Sequence, residues 1–404
     1  MVALWVAAAA MVLVGLRPWR LSASVWPVAG ALIVVGIGAE PGMAALQAIA
    51  RQWNVLLFIL GLMGLAAAAE ESGAFAWITD VVLERARGSR RRLFVLLFLT
   101  GAGLTLVLSN DATAIVLTPI VYRAIAKRGG DAMPFLFACT FVADTASFGL
   151  PFANPANVLI LPHAQLLPYL IHLGPPQIAA IGLNLALFLA IFRSQLKGRY
   201  AYEPARQPPG KALRTLVALG AVGVAYVVAL VLRVPLGLVA FVGSAVVLAV
   251  ARVPVRAAVR HVSWSTFALL AGLFALIDAV ARAGWVDWAL RAVESVARSG
   301  SLAADTVTAV GAALFSNVFN NLPIAVASSY LVAHGAAVHA AYPLIVGVDL
   351  GPNLTTSGSL ATILWLAVLR KRGVRVNAFE YFKLGAVVVP VTIAVTVLYL
   401  WIVP

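Results

Sequence analysis

The chain has 404 residues, of which 62% are hydrophobic and only 11% are charged. A soluble domain carries about 25% charged residues, so this composition excludes an ordinary water-soluble fold. The net charge of +14 does not indicate nucleic acid as a partner, because no stretch is long enough to form a soluble basic domain. The single cysteine, Cys139, excludes a disulfide framework and a multi-thiolate metal site.

Apolar runs separated by polar or basic segments follow one another along the chain. Several reach the roughly 20 residues that cross ~30 Å of hydrocarbon, whereas others are shorter. This pattern predicts an all-α polytopic membrane protein, surrounded by lipid, with about ten transmembrane helices. Gly61 and Gly64 in the third run predict close helix packing. In chain order the runs are Val2–Leu16, Leu21–Gly38, Trp53–Ala69, Leu93–Leu108, Phe135–Leu150, Ile178–Phe192, Leu213–Leu232, Leu236–Val250, Phe267–Ala281, Val307–Phe315, Tyr342–Leu350 and Leu384–Val403.

The distribution of basic residues predicts the orientation. Cytoplasmic segments of membrane proteins carry an excess of Lys and Arg, and an outside N-terminus puts all but five of the 29 basic residues on the cytoplasmic side. The five exceptions are Arg51, Arg233, Arg282, Arg291 and Arg298. The cytoplasmic set is Arg17, Arg20, Arg85, Arg87, Arg90, Arg91, Arg92, Arg123, Lys127, Arg128, Arg193, Lys197, Arg199, Arg206, Lys211, Arg214, Arg252, Arg256, Arg260, Arg370, Lys371, Arg372, Arg375 and Lys383.

This orientation requires two stretches, 93–122 and 302–331, to enter and leave the membrane on the same side. Each has about 30 residues, too many for one span and too few for two spans of ~20 residues. Both are therefore predicted to be re-entrant hairpins. A non-helical tip at membrane depth needs surrounding protein or a water-filled cavity, and polar residues occupy both predicted tips, at 108–113 and at 315–323.

The sequence also contains a weak internal repeat. The offset is 207 for Ser109-Asn110 against Ser316-Asn317, and 205 for Asp144 against Asp349. The predicted halves are 1–193 and 212–404, joined by a cytoplasmic linker, 194–211. The predicted topology makes the repeat inverted, which is typical of secondary transporters that hold solute between the halves. At an offset of 211 the matching pairs are Trp53 and Trp264, Gly61 and Gly272, Leu62 and Leu273, Leu65 and Leu276, Gly73 and Gly284, and Trp77 and Trp288.

Each predicted hairpin is followed by a broken span, at 134–161 and at 340–369. Pro breaks a helix and Gly permits the dihedrals of unwound chain, which leaves backbone N–H and C=O groups unpaired. The four interruptions are rich in Asn, Ser and Thr and contain no Arg or Lys. That chemistry suits a neutral solute with hydroxyl groups, although helix N-termini can also hold an anion. The predicted substrate-binding residues are Asn110, Thr113, Asn154, Asn157, Ser316, Asn317, Asn320, Asn321, Asn353 and Thr355.

Three acidic residues lie in these interruptions: Asp111, Asp144 and Asp349. A carboxylate at membrane depth is costly and indicates a functional site. We therefore predict that these residues carry protons or a coupling cation. The alternative is that each caps a helix or accepts from an unwound backbone N–H. Asp278 differs from them, because Arg282 four residues later predicts an ion pair.

In their order along nearly the whole chain, these motifs resemble the arsenite permeases, the membrane component of arsenical pumps, within the ion transporter superfamily. There are two departures near the second break: Asn353 occupies a position that is usually Lys in that family, and Thr355-Thr356-Ser357 differs from its usual Thr-Pro-Ile. The matching stretches are Glu71-Ser72-Gly73, Ser109-Asn110-Asp111, Leu117-Thr118-Pro119-Ile120-Val121, Ala143-Asp144-Thr145-Ala146-Ser147, Asn320-Asn321-Leu322-Pro323, Asp349-Leu350-Gly351-Pro352, Gly358-Ser359-Leu360-Ala361-Thr362 and Tyr381-Phe382.

The resemblance implies an ion transporter fold with two re-entrant hairpins and two broken helices. It implies efflux of neutral arsenous or antimonous acid (arsenite or antimonite) coupled to proton entry, in a bacterial or archaeal inner membrane. In some organisms a soluble ATPase partner docks on the cytoplasmic face. No cofactor, resident metal or enzymatic activity is expected.

Other functions compete with this one. A cation–proton antiporter, or a sodium-coupled carboxylate or oxyanion carrier, belongs to the same superfamily. Sodium-coupled relatives tend to carry Ser-Asn-Thr at both tips, whereas this chain has Asp111 in one and Val318 in the other, which favours protons. An intramembrane enzyme would need a nucleophile with a positioned base, and the predicted spans place no histidine near Ser109 or Ser316. Buried acids in inverted broken helices also fit alternating access better than a channel.

Overall fold

Helices make up nearly all of the protein. The computed structural model describes residues 2–16, 21–126, 131–200, 209–284, 301–333 and 338–403. Within those ranges the β structure is one isolated bridge between Ser89 and Arg199, so the predicted all-α fold class is confirmed. Outside them lie residues 201–208 of the predicted linker, Trp288 of the predicted repeat, and the basic residues Arg17, Arg20, Lys127, Arg128, Arg206, Arg291 and Arg298.

The described ranges contain nineteen α-helices, with two short 3-10 turns at Pro151–Ala153 and Gly351–Leu354. The helices are α1 Val2–Leu16, α2 Val25–Gly36, α3 Gly42–Arg51, α4 Trp53–Glu71, α5 Ala74–Arg85, α6 Arg90–Leu108, α7 Asn110–Ala126, α8 Met133–Thr145, α9 Pro155–Ile160, α10 Leu166–Ile191, α11 Gly210–Leu232, α12 Leu236–Ala251, α13 Val255–His261, α14 Trp264–Arg282, α15 Leu302–Phe319, α16 Asn321–Ala333, α17 Val338–Leu350, α18 Leu360–Lys371 and α19 Ala378–Ile402.

Seven of these helices are long and apolar enough to cross a bilayer: α4, α6, α10, α11, α14, α15 and α19. Their outward faces are apolar as well. On α11, Val217, Val224 and Val231 recur every seven residues and are 68%, 64% and 65% exposed. A stripe of exposed valines on one helix face fits contact with lipid and not with water. The polytopic membrane architecture predicted from composition is confirmed.

Two pairs of helices meet at a single residue with a positive φ. Helix α6 passes into α7 at Ser109, with φ 81° and ψ 162°, and α15 passes into α16 at Asn320, with φ 81° and ψ 152°. The sequence alignment of Ser316-Asn317 with the first tip is therefore wrong by four residues, because α15 continues through both and ends at Phe319. The inverted relation of the two halves stays a prediction.

Glycines allow the scaffold helices to approach closely. A Cβ on Gly61 would collide with the backbone of Ala240 in α12, and one on Gly64 would lie 2.9 Å from the Ser244 Cβ. The predicted packing role of these two glycines is confirmed. A Cβ on Gly272 in α14 would likewise collide with the backbone of α2. Backbone contact of this kind is what small residues provide in membrane helices.

Several basic segments come together at one end of the molecule. The Tyr200 N–H donates to the Gly88 carbonyl at 2.9 Å, and the Lys211 ammonium donates to the Glu71 carbonyl at 3.2 Å. His261 Nε2 lies 3.9 Å from the Glu71 carboxylate. We call this the basic end, defined by residues 85–92, 193–200, 209–214 and 252–261. Its assignment to the cytoplasm stays a prediction.

Candidate functional site

In the first broken helix, an asparagine side chain hydrogen-bonds to the unwound backbone. Helix α8 ends at Thr145, and the chain resumes regular α-helix at Pro155. Within the break, the Asn157 Nδ2 donates to the carbonyls of Ser147 at 2.8 Å and Leu150 at 3.2 Å. The side chain of Asn157 thus replaces partners that the broken helix cannot supply.

The second broken helix, between α17 and α18, rests on the first arm of the second hairpin. The Asn317 Nδ2 donates to the Gly351 carbonyl at 2.8 Å, and the Thr355 Oγ1 donates to the Asn317 Oδ1 at 2.7 Å. A Cβ on Gly351 would collide with Ala313 of α15. Asn317 and Thr355 are therefore brought together, and their side chains hold backbone in place.

Asp144 joins elements from both predicted halves. It is buried at the last turn of α8. Its Oδ1 accepts from the Asn110 Nδ2 at 3.0 Å, and its Oδ2 accepts from the Ser359 Oγ at 3.0 Å. Asn110 stands at the first hairpin tip, whereas Ser359 precedes α18 in the other half, so one carboxylate bridges the two.

Asp349, in the second predicted half, accepts hydrogen bonds from side chains of the first half. It too is buried, one residue before the end of α17. Its Oδ1 accepts from the Asn154 Nδ2 at 2.7 Å, and its Oδ2 accepts from the Ser147 Oγ at 2.8 Å. Both donors belong to the first half. The two carboxylates accept hydrogen bonds from amides and hydroxyls, which do not balance their charge when they are ionised.

Asn154 and Ser359 each cap a helix while contacting the other half. The Asn154 Oδ1 accepts from the Ala156 N–H at 3.0 Å, which caps α9, and the Ser359 Oγ accepts from the Thr362 N–H at 3.0 Å, which caps α18. We call these two residues the crossed caps. They stand 205 positions apart, the same offset as Asp144 and Asp349.

Several predicted binding residues have a buried polar atom without a hydrogen-bond partner. These atoms are the Asn157 Oδ1, Ser316 Oγ, Asn321 Oδ1 and Asn353 Oδ1. The amide nitrogen of Asn353 donates to the Phe141 carbonyl at 3.1 Å, so that its oxygen remains open. Buried polar atoms are nearly always paired, and unpaired acceptors grouped at helix breaks fit a site for a hydroxyl-bearing ligand.

The remaining predicted residues shape the hairpin tips. The Thr113 Oγ1 donates to the Ser109 carbonyl at 2.9 Å, which closes the first turn of α7. The Asn320 Nδ2 donates to the Ser357 carbonyl at 3.2 Å, while its Oδ1 accepts from the Leu322 N–H at 3.3 Å. Both side chains therefore stabilise the backbone of a tip.

Asp111 is separate from this network and lines a cavity. The cavity has a volume of about 460 Å³ and lies between α4, α7, α13 and α18. It extends from the first hairpin tip to the basic end, because residues of both line it. The lining residues are Ile59, Leu62, Met63, Ala66, Glu70, Ser109, Asp111, Ala112, Ile115, Val116, Pro155, Arg260, His261, Val262, Ser263, Leu360, Leu364, Ala367, Val368 and Lys371.

The sequence analysis missed both serine donors to the carboxylates, Ser147 and Ser359. Ser359 had a usable signal, because a serine directly before an apolar run is typical of a helix N-cap. Nothing local indicates its second partner, since Asp144 lies 215 positions away. The ionisable residues at the far end of the cavity, discussed below, were also missed.

A second ionic cluster lies away from this site, at the C-terminal end of α14. The Arg282 Nε is 2.8 Å from the Asp278 Oδ2, which confirms the predicted ion pair, and 3.4 Å from the Glu40 Oε1. The Tyr330 hydroxyl of α16 donates to the other oxygen of Asp278. Burial raises the pKa of the Glu40 carboxyl from 4.5 to about 6; nearby Asp278 adds to the rise and Arg282 opposes it.

Comparison with known proteins identifies the family. The profile of the citrate transporter (CitMHS) family matches residues 1–351. The chain belongs to this family. It is 29% identical over 357 residues to the arsenical pump membrane protein of Escherichia coli, and 28% identical over 356 residues to the protein of that name from Yersinia enterocolitica, with 83% of each chain covered in both cases. An uncharacterized transporter of Mycobacterium bovis is 27% identical over 369 residues, covering 87% of this chain and 86% of the relative.

Two solved structures share the fold. The YdaH transporter of Alcanivorax borkumensis superimposes with a TM-score of 0.52 at 14% identity, over 92% of this chain and 87% of that one. MtrF of Neisseria gonorrhoeae, described as representing a class of antimetabolite efflux pumps, gives the same TM-score and identity over 92% and 84%. The protein is therefore a polytopic membrane transporter of the arsenical pump and citrate transporter group, as its resemblance to the arsenite permeases implied.

Proposed function

We propose that this protein is a secondary active transporter that exports arsenite or antimonite from the cytoplasm in exchange for protons. The observation that carries the proposal is the pair of buried carboxylates, Asp144 and Asp349, each hydrogen-bonded by neutral donors of the other half. Both oxygens of an ionised carboxylate accept hydrogen bonds, whereas protonation turns one of them into a donor, so a change of protonation changes the bonds between the halves. The relatives named arsenical pump membrane protein support the choice of solute.

The solute site lies at the two helix breaks in this proposal. The trihydroxy acids of trivalent arsenic and antimony are neutral near pH 7 and present three hydroxyl groups. The open amide oxygens of Asn157, Asn321 and Asn353 accept from such hydroxyls. Asn353 stands where the arsenite permeases usually carry Lys, so the site binds solute by hydrogen bonds without a local cation.

Asp111 has a different role from Asp144 and Asp349. It lines the cavity that reaches the basic end, whereas Asp144 and Asp349 are buried. We assign to Asp111 the exchange of the coupling proton with water in the cavity. The basic end faces the cytoplasm in this proposal, as the positive-inside rule favours. The N-terminus is then outside, the membrane is the bacterial or archaeal inner membrane, and a cytoplasmic arsenical-pump ATPase would dock on the basic end.

Everted membrane vesicles test the proposal, because their outer face is the cytoplasmic face. Arsenite accumulation is followed with an acidic vesicle interior, for the wild type and for Asp111→Asn. We expect gradient-dependent accumulation in the wild type and none in the variant, because an amide cannot release a proton. Asp80→Asn, which removes a carboxylate on α5 away from the cavity lining, is the matched control and should accumulate arsenite like the wild type.

A carboxylate carrier is the second candidate function. The family profile is described as citrate transporter, and two cations, Arg260 and Lys371, line the cavity. Fixed cations raise the local concentration of anions. The same vesicles decide between the candidates: citrate movement driven by a sodium or proton gradient, with no arsenite accumulation, would replace the metalloid assignment. A cation–proton antiporter would move protons with neither solute present.

A further inference from the structure

At the end far from Asp111, the cavity is lined by a group of ionisable side chains that the proposed function does not use. Among the described residues that line it, the ionisable ones are Asp111 at the hairpin tip and four near the basic end. The rest of that lining is apolar apart from two serines. The four near the basic end are Glu70, Arg260, His261 and Lys371.

The geometry of His261 singles out one ring nitrogen for proton exchange. His261 is the last residue of α13. Its Nδ1 lies 2.9 Å from the Ala257 carbonyl, which can only accept, so Nδ1 carries a hydrogen in either charge state. Nε2 lies 3.5 Å from the Glu70 Oε2 and 3.9 Å from the Glu71 Oε1. Nε2 is therefore the nitrogen that gains or loses the proton.

Exposure shows that this pair reaches water. The side chains of His261 and Glu70 are 28% and 46% exposed, and both also line the cavity. Arg260 does not release its proton, and Lys371 is a strongly hydrated fixed cation. Of the four charged or titratable groups near the basic end, His261 and Glu70 are thus the ones suited to pass a proton between the cavity and the solvent.

We propose that His261 and Glu70 form the proton exit of the transporter. A proton that leaves the Asp111 carboxyl crosses the cavity through water and binds the His261 Nε2. It then passes to the Glu70 carboxylate or directly to the bulk solvent, and the neutral imidazole is restored. Each transfer moves one proton, without change of oxidation state. This inference rests on the proposed proton coupling.

The test measures proton-driven arsenite uptake in everted vesicles at a series of external pH values. The variants are His261→Gln and Glu70→Gln, with Glu84→Gln as the matched control, because Glu84 is an exposed carboxylate outside the cavity lining. We expect His261→Gln to slow uptake at least about tenfold, as loss of a positioned acid–base group does, and to flatten its dependence on external pH. Imidazole added outside should restore the rate, since a diffusible buffer replaces the missing shuttle. Glu70→Gln should slow uptake less, and Glu84→Gln should match the wild type.

The outcomes separate this inference from the proposed function. If the wild type couples arsenite to protons and His261→Gln keeps its rate and pH profile, the proton exit is overturned while the proposed function stands. A loss in His261→Gln that imidazole does not restore, or an equal loss in Glu84→Gln, would also overturn it, because structure or surface charge would then explain the defect. A wild type that moves arsenite without protons, or moves none, would overturn both.

Discussion

At the scale of single residues, the function proposed here depends on side chains that make two contacts at once. Ser359 accepts from the Thr362 N–H and donates to the Asp144 carboxylate, and both distances are 3.0 Å. Likewise, Asn154 accepts from the Ala156 N–H at the start of α9 and donates to the Asp349 carboxylate. A change in the protonation of either aspartate therefore reaches the start of a helix in the other half. This arrangement links proton binding to the geometry of the helix breaks.

Replacing Ser359 tests this link. Ser359→Ala removes an N-cap, worth about 1 kcal/mol, and takes the Ser359 donor from the buried Asp144 Oδ2, at a cost of about 1–3 kcal/mol. We expect a lower unfolding temperature in detergent and slower proton-driven uptake. Ser359→Thr keeps the hydroxyl and should retain most of both. The idea fails if the alanine variant equals the wild type, or if threonine restores stability but not uptake.

At the scale of elements, the two hairpin tips resemble each other in backbone and differ in side-chain support. Ser109 and Asn320 both adopt a conformation that is favourable essentially for glycine alone. Asn320 compensates with two side-chain hydrogen bonds, to Ser357 and Leu322. Ser109 lines the cavity, and the side chain that supports it belongs to Thr113, whose Oγ1 donates to the Ser109 carbonyl at 2.9 Å. The strained residue of the second tip is therefore held by its own side chain and that of the first tip by a neighbour, and the first tip is the one that carries Asp111.

Glycine substitutions at the tips should have opposite effects. Ser109→Gly removes strain of about 1–3 kcal/mol at an entropic cost of about 0.5–1 kcal/mol, so the unfolding temperature should rise. Asn320→Gly removes the same strain but also two hydrogen bonds of about 1 kcal/mol each, so it should give no gain or a loss. Thermal unfolding in detergent measures both. A lower unfolding temperature for Ser109→Gly would contradict this account of the tip.

At the scale of the whole molecule, the ionic cluster at the C-terminal end of α14 joins three distant parts of the chain. Glu40 follows α2, Asp278 and Arg282 belong to α14, and Tyr330 belongs to the second arm of the second hairpin. The Glu40 side chain is fully buried. When Glu40 is ionised, two carboxylates share the Arg282 guanidinium, so the contacts within this cluster weaken as the pH rises.

The raised pKa of Glu40 predicts a pH dependence of stability. Because burial raises this pKa from 4.5 to about 6, its contribution is complete below pH 4.5 and is lost as the pH rises through about 6. The shift corresponds to about 2 kcal/mol. Glu40→Gln imitates the protonated form, so its unfolding temperature should fall less than that of the wild type between pH 4.5 and 7. Glu84→Gln, at an exposed site, should follow the wild type; identical profiles for all three proteins would rule out this role of Glu40.

The sequence by itself determined the class of molecule and the positions of its polar interruptions. Hydropathy and charge are local properties, so the number of apolar runs, the basic segments and the acids Asp111, Asp144 and Asp349 could be found without knowing any contact. The pair of Asp278 and Arg282 was predictable for the same reason, because four residues of helix bring them together. The resemblance added the group of transporters, which the family match now supports.

Only the tertiary structure decided which polar groups meet. Ser359 reaches Asp144 across 215 positions, and Asn353 contacts the backbone of α8, although both were visible as polar residues in the sequence. The predicted second tip, 315–323, contains the turn at Asn320, but only the structure shows that α15 continues through Ser316-Asn317 before that turn. His261 and Glu70 gained their significance from a shared cavity. The partner of a buried polar group depends on which helices pack together, and composition and spacing do not carry that information.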